Sequence, residues 1–219
     1  MNRKIWVLLL AAGYSRRMGT CKLLLPIGEE TMLRHTVKKA LLTRTDGVVV
    51  VVNAEIPELA NQIGDLPVVI LTNQTSNGGM SSSLRFGIEY LLENSAEAAV
   101  VLLADQPEID PSVVNRTVVR YQQTGAPVVQ AVYRGTPGHP VLFDRTVFRE
   151  LQAITGDQGG REVVRKYLAA RETVDETTAV PEDIDTFEDY QRVVERSKGT
   201  SRAKASGMPG RAIKGGYWI

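Results

Sequence analysis

The chain has a single cysteine, Cys21, so no disulfide can form within it and nothing in its thiol chemistry requires an oxidising compartment. Excess charge is also lacking: 26 basic side chains against 25 acidic ones leave a formal net charge of +1, which argues against nucleic acid as the main partner. No apolar run approaches the roughly 18 residues that a membrane-spanning helix needs. Arg3 and Lys4 ahead of Ile5–Leu10 imitate a secretory leader, but the run is short, Arg16 and Arg17 follow closely, and cleavage near Ala12 would cut a glycine loop. The expectation is a buried first strand in a cytoplasmic protein with no membrane partner. Hydrophobic residues at 43% and charged residues at 23% over 219 positions exclude disorder and fit one sizeable core.

What is present begins at Leu8, where an apolar strand breaks into a loop that ends at Pro26. Gly13 and Gly19 allow sharp turns and close approach to a ligand, so that backbone N–H groups can face an anion, while Arg16, Arg17 and Lys22 add positive charge. This is the chemistry of a phosphate cradle, but of neither familiar kind. Five residues separate Gly13 from Gly19, and Lys22 follows Thr20 and Cys21, which excludes a Walker loop. Tyr14 and Ser15 after Gly13 exclude the dinucleotide fingerprint. Lys22 can lower the pKa of Cys21. With no histidine or second cysteine near it in sequence, Cys21 reads as a small loop residue.

Downstream, Thr31 is a helix N-cap candidate, and Met32, Leu33, Val37, Ala40 and Leu41 share one helical face. Val48–Val52 is a continuous β-branched run of the kind buried on both faces of a parallel sheet. A short helix around Pro57–Ile63 and a strand at Val68–Leu71 complete a βαβαβ progression, whose right-handed crossovers put helices on both faces of one sheet. Further helices are expected with Leu84, Ile88, Leu91 and Leu92 inward, and over Ser112–Thr124 with Val114, Val118 and Tyr121 inward. Later ones have Val163, Val164, Tyr167 and Leu168, then Phe187, Tyr190 and Val194, on their inner faces. Strands are expected at Ala98–Leu103 and Val128–Tyr133, followed by a constrained loop from Gly135 to Phe143. Residues 1–196 form one domain. From Ser197 the chain turns rich in Gly, Ser, Ala and basic residues, so 197–219 reads as a flexible tail, for whose Tyr217-Trp218-Ile219 ending there is no physical account.

Several points carry candidate chemistry. Gly79, Met80, Ser81 and Ser82 open a helix with free N–H groups, hydroxyls and a positive dipole end, an arrangement that also serves plain N-capping. Asp105 ends a buried strand, where ligands bind in open α/β sheets; it is a metal-ligand candidate or a turn residue before Pro107. His139, between Gly138 and Pro140, reads as an exposed group that contacts substrate or nucleotide by donating to a phosphate or a pterin, or as a structural hydrogen bond. Nothing marks it as a general base. His35 reads as a helix-surface residue without a role. Gly159 and Arg161, in a second glycine-rich segment, can receive an acceptor phosphate or simply start a helix. In an extended segment Asp183 and Asp185 lie on the side opposite Ile184, one able to cap the next helix and the other to bind metal.

The stretch from Leu8 to Pro26 resembles, position for position from Leu10, the signature L-A-A-G-x-S-x-R-M-G-x-x-K-L-L-L-P of the nucleotidyltransferases that handle the molybdenum cofactor. The G-M-x-S-S-L, D-x-P, G-H-P-V-L-F and D-I-D-T runs resemble the same family in the same order, so the resemblance covers almost all of residues 5–194. Phe187 departs from the proline usual after D-I-D-T. The resemblance implies an α/β fold, a three-layer α/β/α Rossmann-like sandwich with a mostly parallel mixed sheet of the nucleotide-diphospho-sugar transferase type. It implies transfer of CMP from CTP to the terminal phosphate of the molybdenum cofactor (molybdopterin), with release of pyrophosphate, for a client molybdenum hydroxylase. Leu10, Ala11, Ala12, Gly13, Ser15, Arg17, Gly19, Lys22, Gly79, Met80, Ser81 and Ser82 would hold the nucleotide. His139, Gly159 and Arg161 would hold the acceptor, and Asp105 and Asp185 a Mg²⁺, with Lys22, Arg17 and Asp105 catalytic. The guanylyl branch carries glycine where this chain has Ala12, and the added methyl would exclude the larger purine. A sugar-1-phosphate nucleotidyltransferase and a non-catalytic cofactor-delivery protein are the alternatives. Retention of Lys22 and both aspartates favours an enzyme.

Overall fold

Ile5–Ala11 forms β1, and its alternation sorts the whole molecule. Ile5, Val7, Leu9 and Ala11 point to one face of the sheet, Leu8 and Leu10 to the other, and all are buried because both faces are covered. The computed structural model describes residues 3–13, 18–74, 79–156 and 159–205. After a 3-10 turn at Lys22–Leu24 come the two-residue strands β2 (Pro26–Ile27) and β3 (Glu30–Thr31), which pair antiparallel, and then α1 (Met32–Leu41). Thr31 caps α1 by accepting the Arg34 N–H. β4 (Gly47–Asn53), α2 (Glu58–Asn61), β5 (Val69–Asn73), α3 (Gly79–Glu93) and β6 (Ala98–Leu103) continue the alternation of strand and helix. α4 (Pro111–Thr124) is capped by Asp110 and closed by Gly125 in the left-handed conformation.

The constrained loop expected from Gly135 to Phe143 is instead a strand. β7 (Val128–Tyr133) turns through Arg134 and Gly135, with φ of 48° and 86°, into β8 (Thr136–Asp144), which lies antiparallel between β7 and β6. Positive φ at both turn residues is what a tight hairpin demands, and the density of Gly and Pro masked the strand signal. α5 (Phe148–Ala153), α6 (Arg161–Lys166), β9 (Glu172–Glu176) and α7 (Phe187–Ala205) complete the order. The seven-stranded sheet runs β5-β4-β1-β6-β8-β7-β9, and β8 alone is antiparallel.

α1, α2, α4 and α7 cover the face of Val7 and Leu9, while α3, α5 and α6 cover that of Leu8 and Leu10, giving the expected three layers. α3 lies so close to the sheet that a Cβ on Gly87 would stand 2.3 Å from a Leu8 methyl. Three residues on the inner faces of α6 and α7 differ from the periodic reading. Leu168 is exposed because α6 ends at Lys166, and Phe187 is exposed at the start of α7. Val193, one position before Val194, is the α7 residue that enters the core beside Tyr190. α7 also continues past Arg196 to Ala205, beyond the expected start of the tail, and residues 206–219 lie outside the described ones. Among the described residues no helix is long and apolar enough to cross a membrane.

Candidate active site

β1 and β6 are parallel neighbours, so their carboxyl ends open side by side. β1 delivers Ala12 and Gly13 there. Tyr14, Ser15, Arg16 and Arg17 lie outside the described residues, and the chain returns through Gly19, with φ of 65°, to Lys22. Among the described residues, a side chain at Gly13 or Gly19 would meet no other atom within 4 Å. Leu10, Ala11 and Ala12 are buried, and Ala12 belongs to the same apolar cluster as Leu10. Cys21 is half-buried, and burial pushes its thiol up rather than down, which leaves it the inert loop residue that the sequence suggested.

β6 delivers Asp105 on a loop held from three directions. The Ala104 N–H donates to Leu10 O at 3.0 Å, and Thr36 Oγ1 on α1 donates to Ala104 O at 3.2 Å. His35 is half-buried on α1 with the Pro107 backbone among the groups acting on its ring, so it is not simply the helix-surface residue that was expected. Burial and the charge of Lys39 hold its imidazole below the ordinary value. The third hold is the Ile184 N–H, which donates to Asp105 O at 3.0 Å. That backbone bond brings the Asp183–Asp185 segment against the Asp105 loop, with Ile184 buried and the aspartates to either side.

Lys22 Nζ lies where these elements meet, 2.7 Å from Asp105 Oδ2 and 3.2 Å from Asp185 Oδ1. Its side chain is only 10% exposed, against 24% for Asp105 and 48% for Asp185. Burial works against the ammonium, but the two carboxylates outweigh it and raise its pKa. Asp183, which the sequence left without a definite role, accepts from Gln106 Nε2 at 2.7 Å. Surrounding protein atoms and then the Asp105 charge push its carboxyl above the usual range. Neither Asp183 nor Asp185 caps α7. Thr186 does, accepting the Asp189 N–H at 3.2 Å while Asp189 Oδ2 takes the N–H groups of Asp185 and Thr186, a reciprocal cap that lowers Asp189 to about 2. This cap starts the helix without the proline that Phe187 replaces.

On the sheet face opposite α1, the start of α3 meets the second glycine-rich segment. The Ser81 N–H donates to Gly156 O at 3.4 Å, and a Cβ on Gly159 would approach Met80 Sδ to 2.9 Å. Ser81 and Ser82 are buried, whereas Met80 is 42% exposed. Asn73 Nδ2 donates to Ser82 Oγ at 3.1 Å and Ser83 Oγ at 3.2 Å, joining β5 to the helix start. Asp157 and Gln158 lie outside the described residues. Arg161 is exposed at the first turn of α6, and its charge reaches the ring of His139. His139 is half-buried in β8, not displayed on a loop, and its Nδ1 stands 3.2 Å from Val101 O. Sequence reasoning missed Gln106, Thr36 and Asn73. Of these, only Gln106 carried a signal, its place between Asp105 and Pro107.

Among the described residues no group of three or more His, Cys, Asp and Glu side chains is arranged to hold a metal by itself. A Mg²⁺ that also binds substrate phosphates needs only one or two carboxylates. Asp105 and Asp185 already converge on one cationic atom, so the donor set fits a hard divalent ion. Moving a nucleotide from a triphosphate calls for charge neutralisation at the open end of an α/β sheet, and such an end is built here around Lys22. The chain is a nucleotidyltransferase. It belongs to the family of the MobA-like NTP transferase domain, which it matches over residues 7–173.

Purine catabolism protein PucB of Bacillus subtilis (strain 168) is 31% identical over 194 residues, 84% of this chain and 93% of the relative. A 2-C-methyl-D-erythritol 4-phosphate cytidylyltransferase of Syntrophotalea carbinolica is 32% identical over 142 residues, 60% of this chain and 59% of the relative. The crystal structure of Rv0371C of Mycobacterium tuberculosis H37Rv in complex with manganese superposes with a TM-score of 0.75 at 26% identity, covering 88% of this chain and 98% of that one.

Proposed function

We propose that the protein transfers CMP from CTP to the terminal phosphate of the molybdenum cofactor, molybdopterin, and releases pyrophosphate, as a cytoplasmic step in the maturation of a molybdenum hydroxylase. The observation that carries the catalytic part is the meeting of Lys22, Asp105 and Asp185 at the carboxyl ends of β1 and β6. A non-catalytic delivery protein has no need of a buried ammonium between two carboxylates. The molybdopterin part is supported by the signature from Leu10 to Pro26, and the choice of CTP by Ala12 and by the cytidylyltransferase relative.

The reaction needs little acid–base chemistry, because the attacking group is an already ionised phosphate. Its oxygen forms a bond to the α-phosphorus of CTP, and the bond to the bridging oxygen of pyrophosphate breaks. Lys22 supplies positive charge to the triphosphate and the leaving group, aided by Arg17. Gly13 and Gly19 let backbone N–H groups approach the phosphates, and the start of α3 offers the positive end of its dipole. Asp105 and Asp185 would hold a Mg²⁺, which when bound neutralises phosphate oxygens. The manganese complex of Rv0371C supports a divalent ion in this fold.

The test is pyrophosphate release measured with CTP, GTP and ATP, Mg²⁺, and either molybdopterin or a panel of sugar 1-phosphates. Release with CTP and molybdopterin is expected. Preference for GTP would overturn the choice of base, preference for a sugar phosphate the acceptor, and absence of turnover with every pair the enzymatic reading itself.

A further inference from the structure

The paired register of β8 changes at His139. Val141 stands opposite Gln130 of β7, and the next pair is Gly138 with Ala131, so His139 and Pro140 are extra residues on β8 with no counterpart on β7. This is a bulge, and bulges re-aim side chains. It is well anchored: Tyr133 Oη donates to His139 O at 2.6 Å, and Gln130 Nε2 donates to Gly138 O at 3.4 Å. The same bulge falls where β6 and β8 stop pairing at Val101 and Val141. There the ring reaches the Val101 carbonyl.

A carbonyl oxygen can only accept, so the proton of the neutral ring resides on Nδ1 and Nε2 carries the lone pair. Nε2 has no hydrogen-bond partner among the described residues. The ring stays neutral because burial holds its pKa below the ordinary value; the Arg161 charge acts in the same direction, while Asp183 and Asp105 act against both. Its neighbours in the electrostatic field are therefore Asp105, which also pairs with Lys22, Asp183 and the arginine at the start of α6.

We propose that His139 is a specificity-determining residue that accepts a hydrogen bond through Nε2 from an N–H or O–H group of the acceptor substrate, and that it does not bind the acceptor's phosphate. This rests on the function proposed above and narrows its substrate class. A phosphate monoester ionised as the reaction needs has no proton to offer a lone pair, and repels it. The acceptor must instead present a donor, such as a ring N–H, an amino group or a hydroxyl, away from its reacting phosphate. On this proposal the ring accepts where the sequence led us to expect donation to a phosphate or a pterin.

The chain has only two histidines, which makes the ring directly observable. In the full chain labelled with ¹⁵N-histidine, long-range proton–nitrogen correlation at pH 7.5 is expected to show a protonated Nδ1 and an unprotonated Nε2 for His139, with His35→Gln used for assignment. An Nε2–H tautomer overturns the inference, whatever the acceptor. In steady-state kinetics His139→Phe, which keeps the ring's bulk, should raise KM for the acceptor about tenfold or more while KM for CTP is unchanged. His139→Gln, whose amide oxygen can accept, should recover part of the loss. An unchanged acceptor KM in a folded His139→Phe variant also overturns it. If molybdopterin proves not to be an acceptor, the proposed function fails separately, and the ring tautomer alone then decides this inference.

Discussion

Replacing Lys22 by methionine keeps most of the side chain's volume and removes only the ammonium between Asp105 and Asp185. Breaking a fully buried ion pair from one side costs about 3–5 kcal/mol, and breaking an exposed one about 0–1. Here the lysine is buried, one carboxylate is about a quarter exposed and the other about half, so a loss of about 2 kcal/mol is expected. For a chain of this length that lowers Tm by about 4–8 °C. The variant should also change its response to metal. Two carboxylates deprived of that ammonium repel each other and attract a divalent cation more strongly. A ligand at about a hundred times its Kd adds about 2.7 kcal/mol, so millimolar Mg²⁺ should restore more stability to the variant than to the parent. Turnover should stay depressed by orders of magnitude even where stability is restored, because the charge on the triphosphate is gone. Thermal melts with and without Mg²⁺, run beside pyrophosphate release, read all three effects. Unchanged melting, an unchanged metal response and parental turnover would together refute the role given to Lys22.

Other consequences are separately measurable. Ala12→Gly, which removes a methyl at the mouth of the loop, should raise the ratio of GTP to CTP turnover about tenfold or more; an unchanged ratio would show that base choice lies elsewhere. Thr186→Ala removes the α7 cap and should cost about 1 kcal/mol in urea denaturation. Because Asp189 also holds the Asp185 N–H, Asp189→Ala should weaken Mg²⁺ binding measured by calorimetry, with the Asp105 end of the site intact. Both histidines are held below 6.5, so the unfolded chain binds protons just under that pH that the folded chain refuses. Stability should therefore fall as pH drops from about 6.5 toward 5, and His35→Gln should flatten the urea midpoint over that window.

The central strands were plain in the sequence because burial on both faces requires unbroken apolar runs, as in Val48–Val52 and Ala98–Leu103. Helices with one stripe toward the core, such as α1 and α4, announced themselves by period. β9 did not, since Glu172–Glu176 buries only Val174 and its edge position makes no apolar demand. β8 was hidden for the opposite reason: the Gly and Pro residues that read as a loop build a tight turn and a bulge inside a strand. At the site, Lys22 and Asp105 were recognisable from their places after β1 and β6. The meeting of Asp105 with Asp185 was not, because it depends on a backbone bond from Ile184 that no local pattern encodes. Gln106 and Thr36 stayed unseen because they hold the loop from behind and carry no chemistry of their own.

The bond from the Ile184 N–H to Asp105 O has a bearing on biosynthesis as well as on geometry. Lys22 and Asp185 are 163 positions apart, so the centre cannot exist on a partly made chain, however well β1, β4 and β6 have already paired. Assembly of this centre is thus a late event of folding: a chain stalled or clipped before Ile184 would lack Asp185 and the backbone bond that holds the Asp105 loop from that side.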